Sequence, residues 1–309
     1  LVELVILSGK GGTGKTSLTA AFVDLISKRD PLLKIIVVDA DVDAANLDLV
    51  LSPIRSTKQE FWGGSFAAID LEICQGCGTC TDVCRFEAVD LVDGDYQIDP
   101  IRCEGCAACF YQCPEGAISL QPQLAGEWYR SEISTGYFLH ACLEPAQENS
   151  GKLVALLKEQ ARGLAAEGEY DLALIDGPPG TGCSVIAALS GSNAALIVTE
   201  PSVSGIHDLQ RALASTKHFG IKPYICINKY DIYPAGTAQI HNICRTDNVE
   251  VIGEIPFDLA VPRAMMKGQP VTKLFPDSKV SKTIGLLWEN LHSESSTWNN
   301  NSQELVGIQ

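Results

Sequence analysis

Eight of the twelve cysteines in this 309-residue chain fall between positions 74 and 113, in two runs of one spacing. Cys74, Cys77, Cys80 and Cys84 step by three, three and four. Cys103, Cys106, Cys109 and Cys113 repeat those steps 29 residues later, and Pro114 closes the second run. The repeat reaches beyond the thiols, pairing Asp70 with Asp99, Gly76 with Gly105, Ala88 with Ala117 and Val89 with Ile118. Three thiolates at steps of three let one short loop wrap three corners of an iron–sulfur cubane, and the fourth corner then comes from the other run. That rule assigns Cys74, Cys77, Cys80 and Cys113 to one [4Fe-4S] cluster, and Cys84, Cys103, Cys106 and Cys109 to a second. Zinc, the alternative metal, tends to use separated cysteine pairs rather than a triple step.

Over about Ile69–Leu120 the chain resembles the two-cluster bacterial ferredoxins, with Arg85 standing where that motif has proline. Between Asp70 and Glu115 there are ten acids and two bases, a surface that suits a basic redox partner. So few apolar residues make a core that depends on its metals, so the metal-free segment is expected to be loose.

A second motif precedes the cysteines. Gly9-Lys10-Gly11-Gly12-Thr13-Gly14-Lys15-Thr16, followed by Ser17, matches G-x-x-x-x-G-K-T between an apolar strand (Val2–Leu7) and a helical pattern through Leu18, Ala21, Phe22, Leu25 and Ile26. Glycines there let backbone amides close around phosphate oxygens. Lys15 is expected on the β and γ phosphates and Thr16 on Mg²⁺. Buried strands are expected at Lys34–Val38, ending on Asp39, at Tyr170–Ile175, ending on Asp176, and at Ala194–Thr199, Pro223–Asn228 and Val249–Ile255. Trp128–Ser134 and Tyr137–Leu143 read as a hairpin around Thr135-Gly136. The expected fold is α/β: a doubly wound, mostly parallel P-loop sheet with an inserted α+β ferredoxin-like domain. Its boundaries are residues 1–60 and 126–292 for the sheet domain, 61–125 for the insert, and 293–309 for a polar, disordered tail.

The extra lysine, Lys10, makes the loop resemble the deviant Walker A family of division-site positioning, partition, nitrogenase iron-protein and Mrp-type carrier ATPases. More narrowly, the chain resembles MinD-type ATPases with an inserted ferredoxin domain. That resemblance implies a homodimer formed as a nucleotide sandwich, in which Lys10 reaches the partner's phosphates. It also implies that Asp41 orients the attacking water, Asp39 supports the magnesium shell and Asp176 is the acid of the second switch, Asp176-Gly-Pro-Pro-Gly-Thr-Gly182. For Asp39 and Asp41 the alternative is a carboxylate capping a strand-to-helix turn. Asn228-Lys229-Tyr230-Asp231 and Pro256 are expected around the base. ATP is favoured, yet the same four residues fit the guanine-reading N-K-x-D. Cys183 lies seven residues after Asp176, an offset shared with the nitrogenase iron protein. This makes it a candidate ligand of a bridging cluster, against simple packing beside Val185 and Ile186.

A net charge of −15 argues against a sequence-independent grip on nucleic acid or an anionic membrane. Leu1–Leu7 is too short for a signal peptide, so a reducing, cytoplasmic compartment is expected. Val280, Ile284, Leu287, Trp288 and Leu291 share one helical face, expected to pack rather than to bind lipid. Two functions follow. One is an ATPase whose turnover controls metallocluster delivery or electron transfer to a client protein. The other is a positioning ATPase that keeps the ferredoxin module as a redox sensor.

Overall fold

Apolar runs long enough to be covered on both faces decide the architecture. In the computed structural model, which describes residues 1–145, 149–295, 297 and 298, the chain divides into two units. Leu1–Gln59, Trp128–Cys142 and the chain from Ser150 form the first; Glu60–Glu127 with Leu143–Asn149 form the second.

In chain order, β1 (Val2–Ser8) leads through the glycine loop into α1 (Lys15–Arg29), followed by β2 (Ile35–Asp39), α2 (Asp48–Leu51) and the long β3 (Arg55–Ile69). The cysteine segment contributes α3 (Thr79–Val83), β4 (Val89–Val92), β5 (Asp95–Ile98) and α4 (Ala108–Gln112). Then come β6 (Ile118–Ile133), β7 (Gly136–Leu143), α5 (Ser150–Glu167), β8 (Leu172–Pro179) and α6 (Cys183–Leu189). The alternation continues with β9 (Ala194–Thr199), α7 (Val203–His218), β10 (Lys222–Asn228), α8 (Pro234–Thr246) and β11 (Glu250–Ile255). Helices α9 (Ala260–Met266), α10 (Val271–Leu274) and α11 (Lys279–Glu294) close the described chain.

Nine strands form one sheet in the order β11-β10-β9-β1-β8-β2-β7-β6-β3. From β11 to β7 each recorded pairing is parallel. Ile35, Ile36, Val37 and Val38 have no exposed surface, as buried parallel strands require. Phe22 of α1 and Trp288 of α11 meet with ring centroids 5.2 Å apart, and Val280, Ile284, Leu287 and Leu291 bury the same face of α11. Gly136 opens β7 at a φ of +142°. A Cβ there would stand 2.1 Å from the Ile35 carbonyl oxygen, so only glycine lets β7 close on β2.

In the second unit the sequence repeat is also a repeat of hydrogen bonds. Asp70 N–H donates to Ala117 O at 2.7 Å and Asp99 N–H to Ala88 O at 2.8 Å, so each half is tied to the other. Cys74 N–H to Asp70 O (2.9 Å) is matched by Cys103 N–H to Asp99 O (3.0 Å). Left-handed residues recur in step: Gly76 with Gly105, Gly78 with Ala107, Glu87 with Gly116. Strands β4 and β5 pair antiparallel, Val89 opposite Ile98. The buried core is small: Ala67, Cys80, Val89 and Ile118, with Cys84, Cys103, Cys109 and Cys113 packed against it.

Three expectations change. The polar stretches on either side of the cysteines extend into β3 and β6, where no strand was expected before Trp128. Leu143–Asn149 belongs to the second unit rather than to the sheet domain; Glu144 N–H bonds Ala125 O at 2.9 Å. The tail does not begin at Ser293. Trp298 is buried in the first unit's core, and its indole donates to Tyr224 Oη at 3.0 Å. The remainder of that tail, 299–309, lies outside the described residues.

Candidate functional site

Strand order gathers the charged groups of the first unit around the glycine loop. Gly12 and Gly14 hold φ of +76° and +97°, and nothing lies within 4 Å of a Cβ built on Gly11 or Gly12. This bare stretch of backbone, running into the start of α1, is the kind of surface that receives phosphate oxygens. Lys15 Nζ donates to Ser8 Oγ at 2.8 Å. Burial lowers its pKa, while Asp176, Asp41 and Asp39 act to raise it.

Those carboxylates stand at strand ends. Asp39 and Asp176 are register partners of β2 and β8, each about 1% exposed. Burial first, then repulsion from Asp176, raises the Asp39 pKa. Burial also raises that of Asp176, with the Thr16 hydroxyl, Lys15 and Thr19 opposing. Asp41 is raised by burial and lowered by Lys15. Both oxygens of Asp39 are engaged by backbone, accepting from the N–H groups of Asp41 (3.1 Å), Asn46 (3.3 Å) and Leu47 (3.2 Å). Asp39 therefore caps the turn after β2. Asp176 Oδ1 accepts from Thr19 Oγ1 at 3.0 Å, whereas Oδ2 is buried without a well-formed hydrogen bond among the described residues. A buried carboxylate oxygen left over beside Thr16 fits magnesium better than Asp39 does.

Around the base-side loops the motif residues bond to protein backbone. Asn228 Nδ2 donates to Thr13 O at 2.7 Å, its Oδ1 accepts from Lys229 N–H, and Lys229 Nζ donates to Gly12 O at 3.4 Å. Asp231 Oδ1 accepts from Phe257 N–H at 2.8 Å, joining the loop after β10 to the one holding Pro256. Sequence reasoning gave Asn228 a base-reading role; here it braces the phosphate loop. It also assigned nothing to Glu200, whose carboxylate lies 2.5 Å from Lys10 Nζ and 3.0 Å from Lys229 Nζ. The signal available was an acid ending an apolar strand, Val198-Thr-Glu200.

Cys183 opens α6 and is exposed, not packed in the core. It lines a shallow cavity with Lys152, Ile186, Ser190 and Phe219. Buried Cys226 and Cys244 sit in the sheet domain's cores, their thiol pKa values raised by burial.

In the second unit, Cys84, Cys103, Cys106 and Cys109 line a single cavity with Phe86, Ala67 and Val89. Cys84 comes from the first run and the other three from the second. Amide N–H groups point at sulfur: Ala67 to Cys103 and Ala88 to Cys84 at 3.4 Å, Gly76 to Cys74 at 3.5 Å, Ala117 to Cys113 at 3.3 Å. Such donors stabilise thiolate charge. Cys77 and Cys106 are exposed. Among the described residues, no three His, Cys, Asp or Glu side chains converge as they would around one metal ion.

The glycine loop between a central parallel strand and its helix, with acids at neighbouring strand ends, defines a P-loop nucleotide-binding protein. The model of the CobQ/CobB/MinD/ParA nucleotide-binding domain matches residues 4–271, and the chain belongs to this family of ATPases. It is 32% identical over 291 residues to an uncharacterized protein of Methanocaldococcus jannaschii, covering 94% of this chain and 96% of that one. An iron–sulfur cluster carrier protein of Pyrococcus horikoshii is 25% identical over 305 residues, covering 94% and 85%. Among solved structures, the septum site-determining protein MinD of Pyrococcus horikoshii, complexed with Mg-ADP, superposes with a TM-score of 0.59 at 20% identity, covering 96% and 98%. Among the described residues no helix is long and apolar enough to cross a membrane.

Proposed function

We propose that this chain is an ATP-dependent iron–sulfur protein, in which nucleotide binding, hydrolysis and dimerisation control the passage of a metallocluster or of electrons to a client protein. The observation that carries the reading is the cavity of the second unit. Its four cysteines come from both runs, in the combination a two-cluster ferredoxin uses for one of its cubanes. Cys74, Cys77, Cys80 and Cys113 would hold the other cluster. Bound there, the clusters would supply one-electron chemistry and a transferable iron–sulfur unit, while Mg²⁺ would neutralise phosphate charge in the first unit.

In this reading the backbone amides of Gly11–Gly14 and Lys15 hold the phosphates, and Thr16 with Asp176 holds magnesium. Asp41 orients the attacking water, Asp39 keeps the loop carrying Asp41 in shape, and Lys10 serves a second copy of the chain across a nucleotide sandwich. ATP is favoured over GTP because Asp231 Oδ1, which a guanine reader keeps for the base, already accepts from Phe257. Cys183, exposed at the start of α6, remains a proposed ligand of a bridging cluster. The positioning alternative draws on the likeness to MinD structures, but the apolar face of α11 that it would need for lipid is buried in the core.

Protein purified without oxygen and assayed for iron, sulfide and zinc tests the proposal. About eight irons and eight sulfides per chain are expected; stoichiometric zinc with no iron overturns it.

A further inference from the structure

Three adjacent strands, β10, β9 and β1, end respectively at Asn228, Thr199 and Ser8, and the next charged residues are Lys229, Glu200 and Lys10. Because β9 is the middle strand, Glu200 faces both lysines. Its two oxygens divide between them: Oε1 lies 2.5 Å from Lys10 Nζ and Oε2 lies 3.0 Å from Lys229 Nζ. The serines at the start of α7 complete the arrangement. Lys10 Nζ also donates to Ser202 Oγ (3.2 Å) and Ser204 Oγ (2.9 Å), and Ser202 Oγ donates to Glu200 Oε1 at 3.3 Å. Lys229, held at a φ of +56°, reaches on to Gly12 O in the loop itself. Burial would raise the carboxyl group's pKa, but the two lysines outweigh it and lower it. Two ammonium groups beside a phosphate loop thus have their charge directed at one internal carboxylate.

A carboxylate with one oxygen for each of two ammonium groups offers them what two oxygens of a phosphate chain would offer. We infer that Glu200 stands in for polyphosphate: it occupies Lys10 and Lys229 while the loop is empty, and an incoming nucleotide must draw them away from it. This inference rests on the reading of the loop as an ATP site. It makes Glu200 a positioning residue that keeps Lys10 folded back on its own chain until polyphosphate arrives, and so sets the nucleotide affinity and the threshold for pairing with a second copy.

The test uses the full chain with its metal content intact. Binding of Mg-ADP and of tripolyphosphate is measured by calorimetry for the wild type, Glu200→Gln and Glu200→Asp. With the competing charge removed, Glu200→Gln is expected to bind both ligands about three- to thirtyfold more tightly, the range for releasing two partly exposed ion pairs. Glu200→Asp, which keeps the charge but is too short to serve both lysines, is expected to fall between. Dimer formation with a non-hydrolysable ATP analogue, followed by light scattering, should begin at lower nucleotide concentration in Glu200→Gln. Unchanged or weaker binding in Glu200→Gln with an unchanged melting temperature overturns the inference. Should Glu200→Gln fail to fold, Glu200→Asp decides alone: affinity equal to or below wild type overturns it. A wild type that binds neither ligand counts against the ATP-site reading itself, a separate result.

Discussion

The two units keep their cores by different means. In the first, Leu4, Ile6, Phe22, Ile35, Val37, Leu196 and Tyr224 are wholly buried, and the site is set on top of a core that would exist without it. In the second, the largest buried side chains are few, and the cluster of Ala67, Cys80, Val89 and Ile118 has four more cysteines packed on it. There five of the eight proposed ligands, Cys80, Cys84, Cys103, Cys109 and Cys113, are part of the core itself. Chemistry laid over a finished sheet can be removed residue by residue. Chemistry that serves as the core takes the fold with it.

The largest expected effect follows directly. Stripping metal with an anaerobic chelator should unfold the second unit and leave the first standing. Hydrogen exchange should show Glu60–Glu127 losing protection throughout while β1, β8 and β9 keep theirs, and ADP binding should persist. Equal loss in both units would erase the distinction. The converse is Lys15→Ala, expected to abolish nucleotide binding, a loss of ~10²-fold or more for a lysine that contacts phosphate directly. The count of irons should be unchanged. Iron lost along with nucleotide binding would mean that the units do not hold their cofactors independently.

What could be read from sequence divides along the same line. Both motifs were legible because each is a spacing: the cysteine steps and the glycine loop place atoms with little help from the rest of the chain. The strands β3 and β6 were not. Arg55-Ser-Thr-Lys-Gln-Glu60 is exposed along its length, so it carries no alternation for a sequence reading to find. The contacts of Glu200 and Asn228 are hidden from the sequence for a different reason. Their partners, Lys10 and Thr13, are about two hundred residues away in sequence, and only the order β10-β9-β1 brings them together. For Asp39 the resemblance implies the magnesium shell, and the residues alone also allow a turn cap. The three backbone amides that engage it, and that Asp176 lacks among the described residues, come from a fold the sequence pattern does not display.

A smaller effect tests whether the sheet unit is held by packing alone. Lys158 of α5 is 3% exposed, with Nζ donating to Ala188 O and Ser190 O at the end of α6 and lying 3.1 Å from Glu3. Burial lowers its pKa from 10.5 to about 8, against the pull of Glu3. Between those values the unfolded chain binds more protons than the folded one, so stability rises with pH. Across about pH 8 to 10.5 the gain from this group is at most ~3 kcal/mol. Urea midpoints followed by circular dichroism should show that rise in the wild type and lose it in Lys158→Met. Parallel pH curves for the two proteins would show that Lys158 does not titrate across this range.

The smallest effect compares the two halves of the cysteine unit. Helices α3 and α4 both begin from a left-handed residue, Gly78 at φ +78° and Ala107 at φ +62°. An L-residue in that region costs about 1–2 kcal/mol, while glycine gives up about 0.4–1 kcal/mol through its freer unfolded chain. Ala107→Gly should therefore stabilise slightly, by ~1 kcal/mol or less. Gly78→Ala runs against both the backbone and a neighbour, since its Cβ would stand 2.9 Å from Tyr96 Oη, and should destabilise by ~1 kcal/mol or more. The rate at which a chelator bleaches the proposed clusters reads both changes in one assay, slower for Ala107→Gly and faster for Gly78→Ala. If both variants bleach faster, Ala107 contributes through its methyl group, and the two halves differ in packing as well as in sequence.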